Sequence, residues 1–250
     1  MQAYFTLVRR EMANYFMSMT GYIIIAAAAL LAGLSFKAVL ESLQHVPTLM
    51  PVTELFFSTL YFWLILLFPP AVITMRMFAF EKFSGTFETL MTAPVTDLQV
   101  VLAKFSSAFL FYLVMWLPLL SCILIVRSYT SDPTAFDAGA MGSTFFGIAL
   151  FGGLFISAGI WASSLTKSQA IAVMVSLAFA LSLLILSFLA GQATEDASWK
   201  AQLLSCFALG EQMRDFARGV VDTRSVVFLL SLTLFFLFLT LRIVESRRWK

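Results

Sequence analysis

The chain has 250 residues, of which 60% are hydrophobic and 12% are charged, and its formal net charge is +2. Soluble domains average about 45–50% apolar and about 25% charged residues, so this composition excludes an ordinary soluble protein and indicates a membrane protein with several spans. The small net charge gives no support for nucleic-acid binding, and two cysteines are too few for a disulfide framework or a four-ligand zinc site.

The first 20 residues predict an amphipathic helix at the membrane surface. Apolar residues recur at helical spacing, while Arg9 and Arg10 fall on the polar side, which suits a helix lying among lipid headgroups. A cleaved signal peptide is the alternative. The apolar run that follows, 22–40, is longer than the about 7–15 residues of a signal-peptide core, which favours the retained helix.

Six segments are apolar and long enough to cross a membrane, which takes about 20 residues. They lie at 21–41, 55–76, 104–126, 141–164, 169–190 and 225–244. Pro69 and Pro70 in the second segment and Pro118 in the third predict kinks. We therefore expect an all-α, polytopic membrane protein that forms a single domain, 1–250.

The basic residues predict that both termini lie in the cytoplasm. In that orientation the inner segments hold ten of the 16 Lys and Arg residues and the outer segments hold six. Cytoplasmic loops are enriched in Lys and Arg, so this excess favours the termini inside. The inner ten are Arg9, Arg10, Arg76, Lys82, Lys104, Lys167, Arg242, Arg247, Arg248 and Lys250.

The polar stretch between the second and third spans, 78–100, has the pattern of an amphipathic helix followed by a break. Its apolar residues recur at three- and four-residue steps, the spacing of one helix face. They are Phe80, Phe83, Phe87, Leu90 and Met91. Pro94 ends this helix because proline lacks a backbone N–H. Thr96 then offers an N-cap, and Gln99 completes a capping box that begins a new helix.

Part of this stretch, 81–95, reads EKFSGTFETLMTAPV and resembles the cytoplasmic coupling segment of ABC transporter permeases of the type-2 (ABC-2) family. The C-terminal run FARGVVDTRSVVFLLSLTLFFLFLTLRIVESRRWK resembles the last helix of the gliding-motility-associated branch of that family. The resemblance extends over the whole chain in length and layout, and 81–95 is its specific part. It also implies that the N-terminal helix is an elbow helix.

The resemblance implies that the cytoplasmic helix docks in a groove on a separate ATPase subunit. The contact residues would be Phe80, Glu81, Phe83, Gly85, Thr86, Phe87 and Glu88. The phenylalanines would pack toward the membrane or the partner, the two glutamates would pair with basic groups of the ATPase, and the glycine would allow close backbone approach. Lys167, between the fourth and fifth spans, would make a second contact. A helix that only anchors the bundle is the alternative.

The same resemblance implies partners and a location. The chain would pair with a second permease copy or homologue and two ATPase subunits in the bacterial inner membrane, and it would export a substrate. The gliding-type branch further implies an accessory subunit with a large extracytoplasmic domain. Because the sequence contains no G-x-x-x-x-G-K-[ST], we expect no cofactor on this chain, and ATP and Mg²⁺ on the partner ATPase.

The fourth span carries a ladder made of two series of small residues at four-residue spacing, which lets helices approach closely. Its members are Gly139, Ser143, Gly147, Ala149, Gly153 and Ser157. The ladder could serve either of two roles: packing of helices inside one subunit, or a contact between two subunits of a dimer.

The segment 191–224 is too polar to span the membrane but carries apolar residues among its charges. It predicts one or two amphipathic helices on the outer surface, with Gly210 and Gly219 at helix ends. A plain ordered loop is the alternative.

Other classes of function find little support in the sequence. His45 is the single histidine, and the centres of the spans lack ionisable residues, which argues against an ion-driven carrier. Lys37 and Glu41 near an outer end are four apart and are expected to pair with each other. A membrane enzyme would need a reactive polar cluster inside the spans. A structural or assembly protein that docks a cytoplasmic partner remains the main alternative.

Overall fold

The computed structural model describes residues 2–45, 52–88, 95–129, 138–192 and 207–248. Every regular element in these ranges is a helix. The helices are α1 (Gln2–Phe16), α2 (Met19–His45), α3 (Val52–Ser58), α4 (Leu60–Thr74), α5 (Ala79–Ser84), α6 (Asp97–Met115), α7 (Leu117–Tyr129), α8 (Ala138–Leu165), α9 (Gln169–Gln192), α10 (Leu209–Ala217) and α11 (Thr223–Arg248). Two parts of the sequence predictions, 89–94 and 193–206, lie outside the described residues.

Six helical stretches are long and apolar enough to cross a membrane, which confirms the prediction of an all-α polytopic membrane protein. They are Met19–Ser42, Leu60–Ser84, Asp97–Ile123, Ala138–Leu165, Gln169–Ala190 and Thr223–Ser246. The second stretch begins later than predicted because Thr59 caps α4 and separates it from α3. The third begins earlier because the capping box of Thr96 and Gln99 forms as predicted and starts α6 there.

α8 lies at the centre of the helix bundle. It packs against α4, α6, α9, α10 and α11, and it is the most deeply buried of the six candidate spans. α2, α9 and α11 expose most of their surface, including apolar side chains such as Leu30, Ile185 and Leu234. Apolar residues on the periphery of such a bundle match contact with lipid acyl chains. α1 packs along α6.

Glycines on α8 allow the other helices to approach its backbone. A Cβ atom at Gly152 would lie 2.1 Å from the ring of Tyr112 on α6, and one at Gly159 would lie 2.1 Å from Thr74 Oγ1 on α4. Such distances are far shorter than van der Waals contact, so both positions require glycine. Neither glycine belongs to the ladder that the sequence analysis selected.

The ladder itself contacts other parts of the same chain at several positions. Ser143 Oγ donates a hydrogen bond to the carbonyl oxygen of Phe216 on α10, and the Phe216 ring covers Gly147. Gly153 lies near Thr233 on α11, and Ser157 is fully buried. Ala149 is half-buried and Gly139 is exposed.

Proline affects the second and third spans differently. Pro69 and Pro70 lie inside α4, which continues through both residues. In the third span the helix is interrupted at Trp116, two residues before Pro118, so that α6 and α7 are separate helices.

The short helix α10 precedes the last span, and Gly219 ends it. Gly219 has a φ of +86°. Its N–H donates to Phe216 O at 3.2 Å and the N–H of Val220 donates to Asp215 O at 2.9 Å, which is a Schellman motif. Gly210 was also predicted to end a helix. This prediction is wrong, because Gly210 lies in the first turn of α10.

α10 is held against α3, the short helix that precedes the second span. The buried carboxylate of Glu54 receives two hydrogen bonds from Arg218, of 3.0 and 2.8 Å, and lies 3.6 Å from Arg214 Nε. Thr53 Oγ1 donates to the carbonyl oxygen of Ala217 at 2.6 Å. A carboxylate that accepts a bidentate arginine is held in one orientation, so this contact fixes α10 on the bundle.

Candidate functional site

The helix α5 is short, because a contact with α8 fixes its start and a glycine fixes its end. Ser163 Oγ on α8 accepts hydrogen bonds from the backbone N–H groups of Phe78 and Ala79, at 3.1 and 3.0 Å, where α5 begins. α5 ends at Ser84, because Gly85 adopts a left-handed conformation with a φ of +76°. The prediction of one helix running through to Met91 is therefore wrong. A helical turn resumes at 86–88.

Lys82 anchors α5 to the centre of the bundle. Its ammonium group donates to the carbonyl oxygen of Ser164, and its side chain is buried. The same ammonium group lies 5.5 Å above the ring of Phe87, which is 8% exposed and packs edge-on against Phe78. Phe87 was expected to face the membrane or a partner, but it lies in the core of its own chain because the turn at Gly85 folds it back.

Lys104 on α6 joins three segments of the chain. It is 2% exposed, and its ammonium nitrogen lies 2.7 Å from Glu81 Oε1 and 3.4 Å from Glu11 Oε1. It also donates to Met77 O at 2.9 Å, in the turn that follows α4. α1, α5 and the end of α4 therefore meet at one buried cation. Glu81 was expected to pair with an ATPase, but the structure places its carboxylate in an ion pair inside the chain.

Arg10 completes this group of charges from the exposed side. One guanidinium nitrogen lies 2.7 Å from Glu11 Oε1 and 3.8 Å from Glu81 Oε1. Burial raises the pKa of Glu11, but Lys104 and Arg10 outweigh the burial and hold that pKa below its usual value. Burial and the neighbouring Glu11 carboxylate raise the pKa of Tyr15, whose hydroxyl group donates to Ile73 O at 3.1 Å.

The remaining residues of the predicted site form an exposed surface. Phe83 is 76% exposed at the end of α5, and Phe80 is partly exposed under the guanidinium group of Arg76. The other exposed positions of this segment are Ser84, Gly85, Thr86 and Glu88. Lys167 is also exposed, in the turn between α8 and α9, which follows directly on the serines that hold α5. The structure thus brings the two predicted contact regions to one end of the bundle.

Sequence reasoning missed Lys104, Glu11 and Ser163 as residues of this site. Lys104 was counted only as a charge at the start of a span. A basic residue inside an apolar helix is a detectable signal, but its partners are 23 and 93 residues away. No group of His, Cys, Asp and Glu residues suited to a metal ion occurs among the residues that the structure describes.

Comparison with known families identifies the chain. A family profile described as ABC-2 family transporter protein matches residues 40–242, which is more than three quarters of the chain. A search of curated proteins gives no match. The matched region contains Glu81, Lys104 and the exposed segment around Phe83, whereas α1 precedes it. The chain therefore belongs to the ABC-2 transporter family and is a multi-pass membrane permease component of an ABC transporter.

Proposed function

We propose that this permease couples ATP hydrolysis by a separate ATPase subunit to the export of a substrate across the bacterial inner membrane. One observation carries the proposal. The segment 79–88 is fastened to the bundle on one side and exposed on the other, as a part that receives force from a soluble partner must be.

The fastened side reaches several spans. Ser163 and the carbonyl group of Ser164 tie α5 to α8, and the ion pair of Glu81 with Lys104 ties it to α6 and α1. Networks of packed and hydrogen-bonded groups of this kind can carry energetic coupling between distant sites. A displacement of α5 would therefore move the central helix of the bundle together with the third span.

The exposed side offers an aromatic anchor and a charge. Phe83 would enter a pocket of the ATPase, and Glu88 would pair with a basic group at the rim of that pocket. Aromatic residues buried at the centre of an interface commonly supply most of its binding energy. Phe80, Thr86 and Lys167 would lie at the edge of the same contact.

The complete transporter would contain this permease, a second copy or homologue of it, and two ATPase subunits that carry ATP and Mg²⁺. Cytoplasmic termini place 79–88 and Lys167 on the side where ATP is available, and the excess of Lys and Arg in the inner segments supports that orientation. Export rests on the resemblance to ABC-2 permeases. Membership of the gliding-motility-associated branch and an accessory subunit with an extracytoplasmic domain rest on the resemblance of the C-terminal helix.

The experiment is to purify the tagged chain in mild detergent after co-expression with its candidate ATPase. The variants are Phe83→Ala and Glu88→Lys. Phe188→Ala is the matched control, because Phe188 is 69% exposed but lies near the far end of α9. Loss of an aromatic anchor costs about 2 kcal/mol or more, so we expect ATPase recovery to fall by more than tenfold with Phe83→Ala, at an unchanged level of the permease in the membrane.

Two outcomes would contradict the proposal. Equal ATPase recovery with Phe83→Ala and Phe188→Ala would show that this surface does not bind the ATPase and would contradict its proposed coupling role. Recovery of the wild-type chain without any P-loop ATPase, in several detergents and in nanodiscs, would favour an assembly protein instead.

A further inference from the structure

A cleft of about 740 Å³ lies between α1, α2, α4 and α5, beside the buried ion pairs. One wall is polar and carries Asn14, Ser18, Thr20 and Arg76, and another is apolar and carries Ile24 and Val72. A cleft of this size with a few convergent polar groups is large enough for a small ligand or a lipid headgroup.

The charges around the cleft leave one cation in excess. The carboxylates of Glu11 and Glu81 are balanced by Lys104 and Arg10. Arg76 donates to the neutral hydroxyl group of Thr20 at 3.2 Å and stacks over a phenylalanine ring, and it has no ion pair with any carboxylate in the described parts of the chain. A guanidinium group has five N–H donors, so the cleft favours an anion with several acceptor oxygens.

The two walls lie at different depths in the bundle. Thr20 begins the first span and Arg76 lies in the turn after α4, both at the same end of the bundle. Ile24 and Val72 are each four residues further into these helices, which is about 6 Å at a rise of 1.5 Å per residue. The apolar wall therefore lies about one helical turn further into the bundle than the polar wall, as the acyl chains of a lipid lie further in than its headgroup.

We propose that this cleft binds an anionic phospholipid. Arg76 holds the phosphate, and an acyl chain lies along Ile24 and Val72. Asn14 donates to the phosphate oxygens, as does one hydroxyl of the hydrogen-bonded pair Ser18 and Thr20. Bidentate hydrogen bonds from arginine match phosphate geometry, and the excess positive charge selects an anionic headgroup over a zwitterionic one. The cleft shares Phe80 and Thr86 with the edge of the proposed ATPase contact, but Phe83 does not line it, so different variants test the two proposals.

The experiment is native mass spectrometry of the full-length chain released from bilayers of equal parts phosphatidylglycerol and phosphatidylcholine. We expect wild-type protein to retain phosphatidylglycerol in preference. Arg76→Gln should lower that retention about fivefold, because a basic group near an anionic lipid contributes on this scale. Arg242→Gln is the matched control, since Arg242 also stacks on a phenylalanine, Phe238, at the same end of the bundle but outside the cleft.

Asn14→Trp provides a second test that leaves every charge in place. Asn14 is exposed on α1, so a larger side chain there should fill the cleft without unfolding the protein, and retention should fall again. Equal retention of the two lipids, or equal loss in Arg76→Gln and Arg242→Gln, would overturn the proposal. Displacement of the lipid by millimolar glycerol phosphate would assign the cleft to a free phosphate compound rather than to a lipid and would also overturn it.

Discussion

The ammonium group of Lys104 on α6 lies 2.7 Å from the carboxylate of Glu81 on α5, with the lysine side chain almost fully enclosed. Burying a charge is costly unless an opposite charge and hydrogen bonds compensate it, and here two carboxylates and a carbonyl group do so. The position of α5 is therefore set by an electrostatic contact as well as by packing.

Replacing Lys104 with methionine should destabilise the protein. The change leaves Glu11 and Glu81 without their buried cation, and breaking a buried pair from one side costs about 3–5 kcal/mol. Both carboxylates keep some access to water, so we expect a value at the low end of this range. Denaturant unfolding in detergent micelles measures it, and the exposed Lys167→Met is the control. Unchanged stability in Lys104→Met would contradict the burial of a charged lysine. The double variant Lys104→Met with Glu81→Gln should lose less stability than the sum of the losses in the two single variants.

Acidification should weaken the attachment of α1. The pKa of Glu11 is held below its usual value, so its ionised form stabilises the fold at pH values above the unfolded-state pKa of about 4.3. This contribution is lost as the pH falls through the lower folded-state pKa. We expect the unfolding temperature of wild-type protein to fall more steeply than that of Glu11→Gln below about pH 4. Parallel curves for the two proteins would show that Glu11 is not stabilised in the folded state.

Two glycines on α8 should respond oppositely to the same substitution. Gly152→Ala forces a methyl group into the ring of Tyr112, and overpacking of this kind costs about 1–3 kcal/mol. A Cβ at Gly142 meets no atom within 4 Å, and alanine is favoured over glycine in a helix by up to about 1 kcal/mol. Thermal unfolding of the two variants should therefore move in opposite directions. A loss of stability in both variants would mean that the effect of Gly152→Ala is not specific to the close approach of α6.

Loss of the Glu54 charge should loosen α10. Glu54→Gln keeps the shape of the side chain but removes the carboxylate that binds Arg218. We expect faster amide hydrogen exchange along 209–217, with the candidate spans unchanged. Glu211→Gln, an exposed position on the same helix, is the control and should leave the exchange unchanged. Equal exchange in both variants would show that the Thr53 and Ser143 contacts alone hold α10.

The sequence allowed the helices to be predicted but not the contacts that position α5. Apolar runs of about 20 residues predict spans because the bilayer imposes that length, and the capping box of Thr96 and Gln99 predicts a helix start because both bonds are local. The face assigned to Phe80, Phe83 and Phe87 assumed an unbroken helix. Gly85 breaks that helix with a left-handed conformation and directs Phe87 into the core. The apolar periodicity of the sequence does not reveal this turn.

The contacts of α8 illustrate the same limit at longer range. Spacing of small residues predicted Gly147 and Gly153, but the positions with the least space are Gly152 and Gly159, because those are the ones that face Tyr112 and Thr74. Which residue of a partner helix lies opposite a glycine depends on the packing of the whole bundle. For Lys104 the two carboxylate partners come from different helices, and no local pattern relates them.

The attachment of α1 to Lys104 also constrains the order in which the protein is assembled. Glu11 and Lys104 are 93 residues apart, so their contact forms only after the ribosome has completed two spans and begun the third. Until α1 packs against α6, the third span is inserted with a basic charge near its N-terminal end and with Glu81 as its carboxylate partner. α1 is therefore synthesised early but reaches its final position late, and a bulky fusion on its N-terminal side should delay membrane insertion more than it affects the inserted protein.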